Sequence, residues 1–361
     1  MFKRYIVSFA LAATMFTTAS DACTGITLTA KDGSVIHART LEFAVDLGSN
    51  VLVVPRGYKR QGTTPDGKNG KKWTSKYASI GANGSGVPWI FDGFNEKGLS
   101  MGLFYHPTTA VYMPYKKSDA KNTIAVWELG SYILENFATT EEVKKNIKNI
   151  VVPAVVFKEW GFVPPVHFIV TDAKGKSIVI EYLKGKLHVF DNPLGVLTNS
   201  PSFDWHMTNL RNYPNLGATQ PKSRKVGGIE LKPFGMGAGM VGLPGDFTPP
   251  SRFVRAVAFT TSILPTSNGK ETVIEAFHIL NNFDIPKGAA REPHKDKHGN
   301  IIADFTTWTS ASDLKAKKFY FRTYNNSQIR MVDLNKMNLN AKKIVTIPME
   351  GKESIKELQA Q

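Results

Sequence analysis

The chain has 361 residues, of which 42% are hydrophobic, and a formal net charge of +15 at pH 7. This length and apolar content suffice for a large folded core and exclude a disordered chain. The lysines are scattered, and no basic stripe interleaved with aromatic residues argues for nucleic-acid binding. A single cysteine, Cys23, excludes an internal disulfide, so the core alone must stabilise the fold.

Residues 1–22 have the three parts of a secretory signal peptide. Two basic residues are followed by a mostly apolar segment at 5–16, and small residues, Ser20 and Ala22, flank Asp21 just before the expected cleavage site, which follows Ala22. The apolar segment is shorter than the roughly 20 residues that span a bilayer, and no later segment is long enough. We therefore expect an exported protein, periplasmic or secreted, whose mature chain begins at Cys23.

A lipoprotein signal, in which the cysteine receives a lipid, is the alternative for the same segment. Such a signal normally has an aliphatic residue three places before the cysteine, where this chain has Ser20, followed by Asp21. A lipidated Cys23 belongs to a secreted binding or structural protein rather than to an enzyme that uses this residue. The two interpretations exclude each other.

After Cys23 the chain begins with alternating, β-branched residues. They predict a β-hairpin with strands at 24–30 and 34–39. Segment 61–72 carries Gly, Pro and Lys and predicts an exposed loop. Four further strands are predicted in this part of the chain, at residues 51–54, 79–82, 89–91 and 99–105.

The middle of the chain changes to helical spacing. Apolar residues predict a helix over 123–137, and a Thr-Thr-Glu-Glu capping box at 139–142 predicts a second helix that ends at residue 150. Further strands are predicted at 166–171, 177–182, 187–190, 195–198, 305–309, 318–323, 328–332 and 344–347, and further helices at 205–212, 252–263 and 272–282. Residues 351–361 indicate a loosely held tail. Strands, helices and strands without a linker predict one layered α+β domain over 23–361.

A cysteine exposed as the first residue of a mature chain carries two reactive groups. Its thiol is a nucleophile, and its α-amine, with a pKa near ~7.7–8.0, can act as the base. We therefore predict that Cys23 is a catalytic nucleophile. A buried structural thiol is the alternative, since free cysteines are often buried.

At this point several short segments resemble the choloylglycine hydrolase family, which comprises bile salt hydrolases and penicillin V acylases. The matching segments, in chain order, are CTGI at 23–26, RTLE at 39–42, NEKGL at 95–99, DNP at 191–193, VLTNSP at 196–201, GLPGD at 242–246 and SRFVR at 251–255. The resemblance covers nearly all of the expected mature chain. It implies an N-terminal-nucleophile hydrolase with a four-layer αββα sandwich, and no metal or organic cofactor.

The resemblance also assigns charged residues to the surroundings of Cys23. Arg39 and Arg252 are implied to lie near the thiol, where a guanidinium favours the thiolate. Glu42 occupies a position where many relatives have aspartate, and its carboxylate is implied to hold the α-amine of Cys23. The additional methylene of glutamate leaves the contact partner of Glu42 open.

Two oxyanion donors are implied as well. The side chain of Asn199 is implied to donate to the oxyanion that forms when the amide carbonyl is attacked. The second donor is the backbone N–H of the residue matched here by Phe104. Relatives often have Asn or Tyr at this position, and phenylalanine has no side-chain donor, which leaves the preferred substrate open.

Histidines offer few signs of a metal site. His294 and His298 are four residues apart but lie in a segment that predicts a loop, and His167 and His278 lie in apolar runs typical of satisfied core histidines. The glycine-rich segment 235–240 lacks the Gly-Lys-Ser/Thr ending of a phosphate loop and predicts a flexible loop near the site.

The resemblance implies hydrolysis of a linear amide, with a conjugated bile acid as the first choice of substrate. Penicillin V and N-acyl homoserine lactones are the alternatives, because the same machinery acts on them through a different acyl pocket. The partner is thus a small-molecule amide, and family analogy adds a homotetramer. The second class, a secreted binding protein, remains the other hypothesis at this stage.

Overall fold

Two antiparallel β-sheets lie face to face at the centre of the fold, in a computed structural model that describes residues 22–296 and 298–359. In the first sheet the order is β1-β2-β15-β16-β17, with β14 beside β15. Its strands are β1 (Cys23–Thr29), β2 (Val35–Phe43), β14 (Ala290–Lys295), β15 (Ile301–Asp313), β16 (Lys318–Thr323) and β17 (Asn326–Asp333). Apart from Ala22, the predicted signal peptide lies outside the described residues.

The second sheet has the order β11-β10-β9-β8-β7-β6-β3-β18. Its strands are β3 (Asn50–Val54), β6 (Ser79–Ala82), β7 (Asp92–Asn95), β8 (Ser100–Tyr105), β9 (Val166–Thr171), β10 (Ser177–Leu183), β11 (Lys186–Asp191) and β18 (Val345–Pro348). Two small hairpins lie outside both sheets, β4 (Lys59–Thr63) with β5 (Asn69–Thr74), and β12 (Arg224–Val226) with β13 (Ile229–Leu231).

Helices cover the outer faces of the two sheets. The helices are α1 (Val126–Asn136), α2 (Thr140–Ile147), α3 (Phe203–Asn209), α4 (Pro249–Ser262) and α5 (Gly269–Leu280). The first sheet contacts α4 and α5, and the second contacts α1. One apolar core fills the space between the sheets and under α4 and α5, and the other lies between the second sheet and α1 and α2. These layers confirm the predicted α+β, four-layer αββα sandwich.

Local sequence signals explain where several elements begin. The predicted opening hairpin is confirmed, with Cys23 paired to Leu41 and Thr29 to Val35. The capping threonine, Thr139, accepts a hydrogen bond from the backbone N–H of Glu142 at 3.2 Å, as expected for a helix N-cap. No helix within the described ranges has the length and apolar character needed to cross a membrane.

Three local predictions are wrong. The segment predicted as a loop at 61–72 belongs to the β4–β5 hairpin, because Gly62 and Gly70 let both strands approach the carbonyl of Thr123; an added Cβ would lie 2.6 and 2.5 Å from that oxygen. Residues 89–91 form no strand and instead contribute to the second core. The predicted strand at 195–198 is reduced to one bridge, between Gly25 and Leu197.

Candidate active site

Cys23 begins β1 at the edge of the space between the sheets, and it is 4% exposed. Its backbone N–H donates to Oδ1 of Asn199 at 2.8 Å, and its carbonyl accepts from the guanidinium of Arg252. In the described chain Ala22 is still attached, so this nitrogen is a peptide amide that occupies the place of the α-amine of a processed chain. The carbonyl of Ala22 in turn accepts from the backbone N–H of Glu42 at 3.1 Å.

Arg252 extends from α4 and connects most of this group. Its Nη1 donates to Oγ1 of Thr24 at 3.0 Å as well as to Cys23, its Nη2 donates to Oδ1 of Asn199 at 2.7 Å, and its Nε donates to the carbonyl of Phe247 at 2.8 Å. Burial lowers the pKa of Arg252 to about 10, and this value leaves the guanidinium charged at neutral pH. The positive charge of Arg252 is thus held at the backbone carbonyl of Cys23, the residue that carries the thiol.

Arg39 approaches from the adjacent strand. Arg39 lies in β2 and pairs with Gly25 of β1. Directly opposed residues of antiparallel strands share a face of the sheet, and so do alternate residues of one strand. Arg39 therefore lies on the same face of the first sheet as Cys23, the face turned towards the second sheet. Its guanidinium carbon is 4.1 Å from the ring centroid of Phe104, and its Nη1 donates to the carbonyl of Leu103. The arginine is fully buried, and the missing side chain at Gly25 makes room for the Phe104 ring.

Glu42 lies close to the site, because it follows Leu41, the residue that pairs with Cys23. Its Oε1 accepts from Oγ1 of Thr306 at 2.9 Å. Burial raises the pKa of Glu42 to about 8, while the positive charge of Arg252 acts in the opposite direction. In the chain with Ala22 attached, the acceptor of the Cys23 N–H is therefore Asn199, and the Glu42 carboxyl is predominantly protonated near neutral pH.

Asn199 lies two residues after Leu197, which forms a β-bridge to Gly25 of β1. Both the oxygen and the nitrogen of its side-chain amide form hydrogen bonds. While Oδ1 accepts from Cys23 and Arg252, Nδ2 donates to the carbonyl of Tyr105 at 2.7 Å. A side-chain amide carries two N–H donors, so this bond uses one of them. Asn199 is thus held in one orientation from both ends of its amide.

The backbone of β8 alternates in a way that the sequence could not show. Leu103 donates its N–H to the carbonyl of Phe91 at 2.7 Å, on the β7 side, and His106 donates to Pro165 at 2.6 Å, on the β9 side. Since alternate residues of a strand share a direction, the N–H of Phe104 is turned towards β9 and that of Tyr105 towards the site. The structure therefore brings the ring of Phe104 near Arg39, and it places Tyr105, which the sequence analysis did not select, beside Asn199.

Aromatic side chains continue the site outwards from Tyr105. Phe43, at the end of β2, has its ring centroid 6.4 Å from that of Tyr105, edge to face, and 5.3 Å from that of Trp160, stacked. The indole Nε1 of Trp160 donates to Oγ of Ser85 at 3.0 Å. Phe43 and Tyr105 lie at strand ends, and Ser85 and Trp160 lie in loops. The three aromatic rings form an aromatic wall that begins at Tyr105, beside Asn199.

Known proteins are similar in sequence to nearly the whole described chain. The family model of linear amide C–N hydrolases, choloylglycine hydrolase family, matches residues 23–347. The chain is 38% identical over 328 residues to a bile salt hydrolase/transferase of Clostridium perfringens, covering 90% of this chain and 96% of that protein.

Solved structures give the same result. A crystal structure of a conjugated bile acid hydrolase from Clostridium perfringens has a TM-score of 0.81 and 35% identity, and covers 93% of this chain and 100% of its own. A penicillin V acylase from Agrobacterium tumefaciens has a TM-score of 0.70 and 26% identity, with 90% of this chain and 91% of its own covered.

Proposed function

Because the chain belongs to the choloylglycine hydrolase family and is thus a hydrolase of linear amide C–N bonds, we propose that it cleaves glycine- or taurine-conjugated bile acids with Cys23 as the nucleophile. The observation that carries the proposal is the hydrogen-bonded group of Cys23, Asn199 and Arg252 at the start of β1. It combines a thiol, a nitrogen held in place and a buried positive charge.

The reaction requires that residues 1–22 are removed, as the signal-like sequence predicts. Cleavage after Ala22 converts the amide nitrogen of Cys23, already 2.8 Å from Oδ1 of Asn199, into an α-amine. Its pKa near ~7.7–8.0 is suited to accept the thiol proton at neutral pH. Removing Ala22 also frees the backbone N–H of Glu42, which donates to the carbonyl of Ala22 in the unprocessed chain.

The proposed chemistry is covalent catalysis in two steps. The α-amine takes the thiol proton, directly or through water, and the sulfur attacks the amide carbonyl. The tetrahedral oxyanion accepts one hydrogen bond from the second N–H of the Asn199 amide and another from the backbone N–H of Tyr105, at the end of β8. The protonated amine then donates its proton to the leaving nitrogen, and a thioester remains. Water hydrolyses the thioester, which releases the acid and restores the thiol.

The charges of the site favour this sequence of events. Arg252 and Arg39 both stabilise negative charge near the thiol and the oxyanion. One well-placed oxyanion donor contributes roughly 3–4 kcal/mol to the lowering of the barrier. The full chain has a net charge of +15, and the removal of residues 1–22, which carry a net +1, leaves about +14. This charge draws an anionic substrate towards the protein, and both glycine and taurine conjugates end in an anionic group.

Penicillin V is a second candidate substrate because of the aromatic wall. A phenoxyacetyl group is flat and aromatic, and the rings of Phe43, Tyr105 and Trp160 offer stacked and edge contacts to such a group. Penicillin V acylases are also among the similar proteins, at 28% identity for that of Pectobacterium atrosepticum. We place it second because bile salt hydrolases resemble the chain more closely.

A substrate panel tests the choice. Processed protein is incubated with glycine and taurine conjugates, penicillin V and an N-acyl homoserine lactone, and released amine is measured, with Cys23→Ala as the control. We expect the highest kcat/KM with bile acid conjugates and no turnover by the variant. Faster turnover of penicillin V or the lactone overturns the substrate assignment, and turnover by Cys23→Ala overturns the nucleophile. Light scattering on the same sample tests the homotetramer that family analogy suggests.

A further inference from the structure

Behind Asn199 lies a group of four fully buried, titratable side chains. His106 follows β8, His167 lies in β9, Glu181 in β10 and His206 in α3, and each has an exposed fraction of 0%. The sequence analysis predicted that His167 and His278 are satisfied core histidines. His167 has partners at both ring nitrogens, which confirms its prediction, whereas His278 is exposed on α5 and its prediction is wrong. Burying four such groups together is costly unless they are hydrogen-bonded or paired with one another.

The partners of His167 define where its protons are. Nε2 lies 2.9 Å from the carbonyl oxygen of Thr198, which can only accept, so Nε2 carries a proton. Nδ1 lies 2.9 Å from Oε1 of Glu181. The two oxygens of Glu181 also accept from the backbone N–H of Phe203, at 3.0 and 3.3 Å, as a carboxylate does. This geometry fits a His167 that donates from both nitrogens, as an imidazolium paired with the Glu181 carboxylate.

His106 packs flat against this cation. The two imidazole rings have their centroids 4.0 Å apart and their planes within 15° of each other. Burial strongly lowers the pKa of His106, so it offers the face of a neutral ring to the charged ring of His167, a favourable contact.

The stacking also separates this group from a metal site. One ligand atom from each of His106, His167 and Glu181 lies within 4.8 Å of the others. An ion bound by two histidines must lie near the plane of both rings, and two parallel rings 4.0 Å apart share no such position. The geometry is that of a buried ion pair with a neutral ring stacked on it.

Imidazoles hold the backbone on both sides of Asn199. His167 binds the carbonyl of Thr198, which precedes Asn199, and Nε2 of His206 binds the carbonyl of Asn199 itself at 2.9 Å. The Oδ1 atom of the Asn199 side chain then lies 2.8 Å from the Cys23 nitrogen. The path from Glu181 through His167, Thr198 and Asn199 to Cys23 is thus continuous.

We propose that the Glu181–His167 ion pair is a positioning unit that fixes the backbone of Thr198 and Asn199, and through it the nitrogen of Cys23. The inference rests on the proposed function, in which that nitrogen is the base. Because positioning serves the reacting atoms rather than substrate binding, we expect His167→Gln to lower kcat by about 100-fold with KM unchanged. We expect Glu181→Gln, which removes the charge and keeps the shape, to lower kcat in the same direction.

The experiment compares processed wild-type protein, His167→Gln and Glu181→Gln. The matched control is His278→Gln, which alters an exposed histidine in α5, on the outer face of the first sheet. The readouts are kcat and KM, the rate of Cys23 alkylation by iodoacetamide, the unfolding midpoint, and the ¹⁵N spectrum of histidine-labelled protein.

The expected results are slower turnover and slower alkylation in both variants at unchanged KM, with the control equal to wild type. In wild-type protein the ¹⁵N spectrum should show protons on both ring nitrogens of His167, as the ion pair requires. A folded His167→Gln protein with wild-type kcat and alkylation rate overturns the proposal, and so does a singly protonated His167 in the wild-type spectrum. Failure of wild type to cleave any amide refutes the proposed function, while alkylation and the spectrum still test the ion pair.

Discussion

Gly25→Ala is the most direct perturbation of the packing that holds Arg39 beside Cys23. A Cβ at Gly25 would lie 2.6 Å from Cζ and 3.2 Å from Cε1 of the Phe104 ring. The ring has little room to retreat, because an atom at the Cβ position of Gly102 would already be 2.8 Å from its Cε2, and Arg39 lies 4.1 Å from its centroid. The added methyl therefore forces either the ring or the strand to move.

The strand resists such a movement as well. Gly25 donates its N–H to the carbonyl of Leu197 at 2.8 Å and accepts from the N–H of Leu197 at 3.1 Å, in addition to its pairing with Arg39 in β2. Overpacking a core that cannot relax costs about 1–3 kcal/mol of unfolding free energy. We expect Gly25→Ala to lose about that much stability, and to lose activity because the displaced ring moves Arg39.

Denaturant unfolding followed by circular dichroism measures the effect. Gly237→Ala is the matched control, since a Cβ there meets no atom within 4 Å. Phe104→Leu in the Gly25→Ala background should recover part of the loss, with a coupling of about 1–2 kcal/mol in a double-mutant cycle. A single variant as stable as wild type, or additive effects in the cycle, refutes the packing argument.

Three further changes test the charges and the helix cap. Burial raises the pKa of Glu42 from 4.5 to about 8, so its contribution to the free energy of unfolding is present while it is protonated and is lost as pH rises through this range. In the chain that retains Ala22, urea unfolding of wild type should lose up to about 4 kcal/mol of this free energy between ~pH 5 and ~pH 8, whereas Glu42→Gln should not. Parallel plots of unfolding free energy against pH for the two proteins contradict this. Arg252→Lys retains the charge but not the four hydrogen bonds, so kcat should fall by at least about 10-fold in steady-state assays, and an unchanged kcat would show that the charge alone suffices. Thr139→Ala removes the N-cap of α2 and should lower unfolding free energy by about 1 kcal/mol without changing kcat, whereas wild-type stability would refute the cap.

Local patterns in the sequence were sufficient for much of the fold. Alternation after Cys23 predicted the opening hairpin, and helical spacing predicted α1, α4 and α5 to within a few residues at each end. Each of these signals depends on neighbours along the chain. The β4–β5 hairpin was missed because Gly62 and Gly70, which suggested a loop, lie in its strands and allow a close contact with Thr123, which is distant in sequence.

The candidate site shows the same division. The resemblance to a known family selected Cys23, Asn199 and Arg252, which the structure brings together. It could not show which backbone N–H of β8 is turned towards the site, because that depends on how β8 pairs with β7 and β9. The Glu181–His167 pair was equally hidden, since its contact with Thr198 forms only when three separate segments pack.

Mass spectrometry of the exported protein, quenched with acid during turnover of a preferred amide, shows whether Cys23 is the N-terminal nucleophile. We expect a chain that begins at Cys23 with an unmodified amine, and an acyl group attached to the sulfur of that residue. A blocked or differently placed N-terminus in active protein, or an acyl group carried by another side chain, would contradict it.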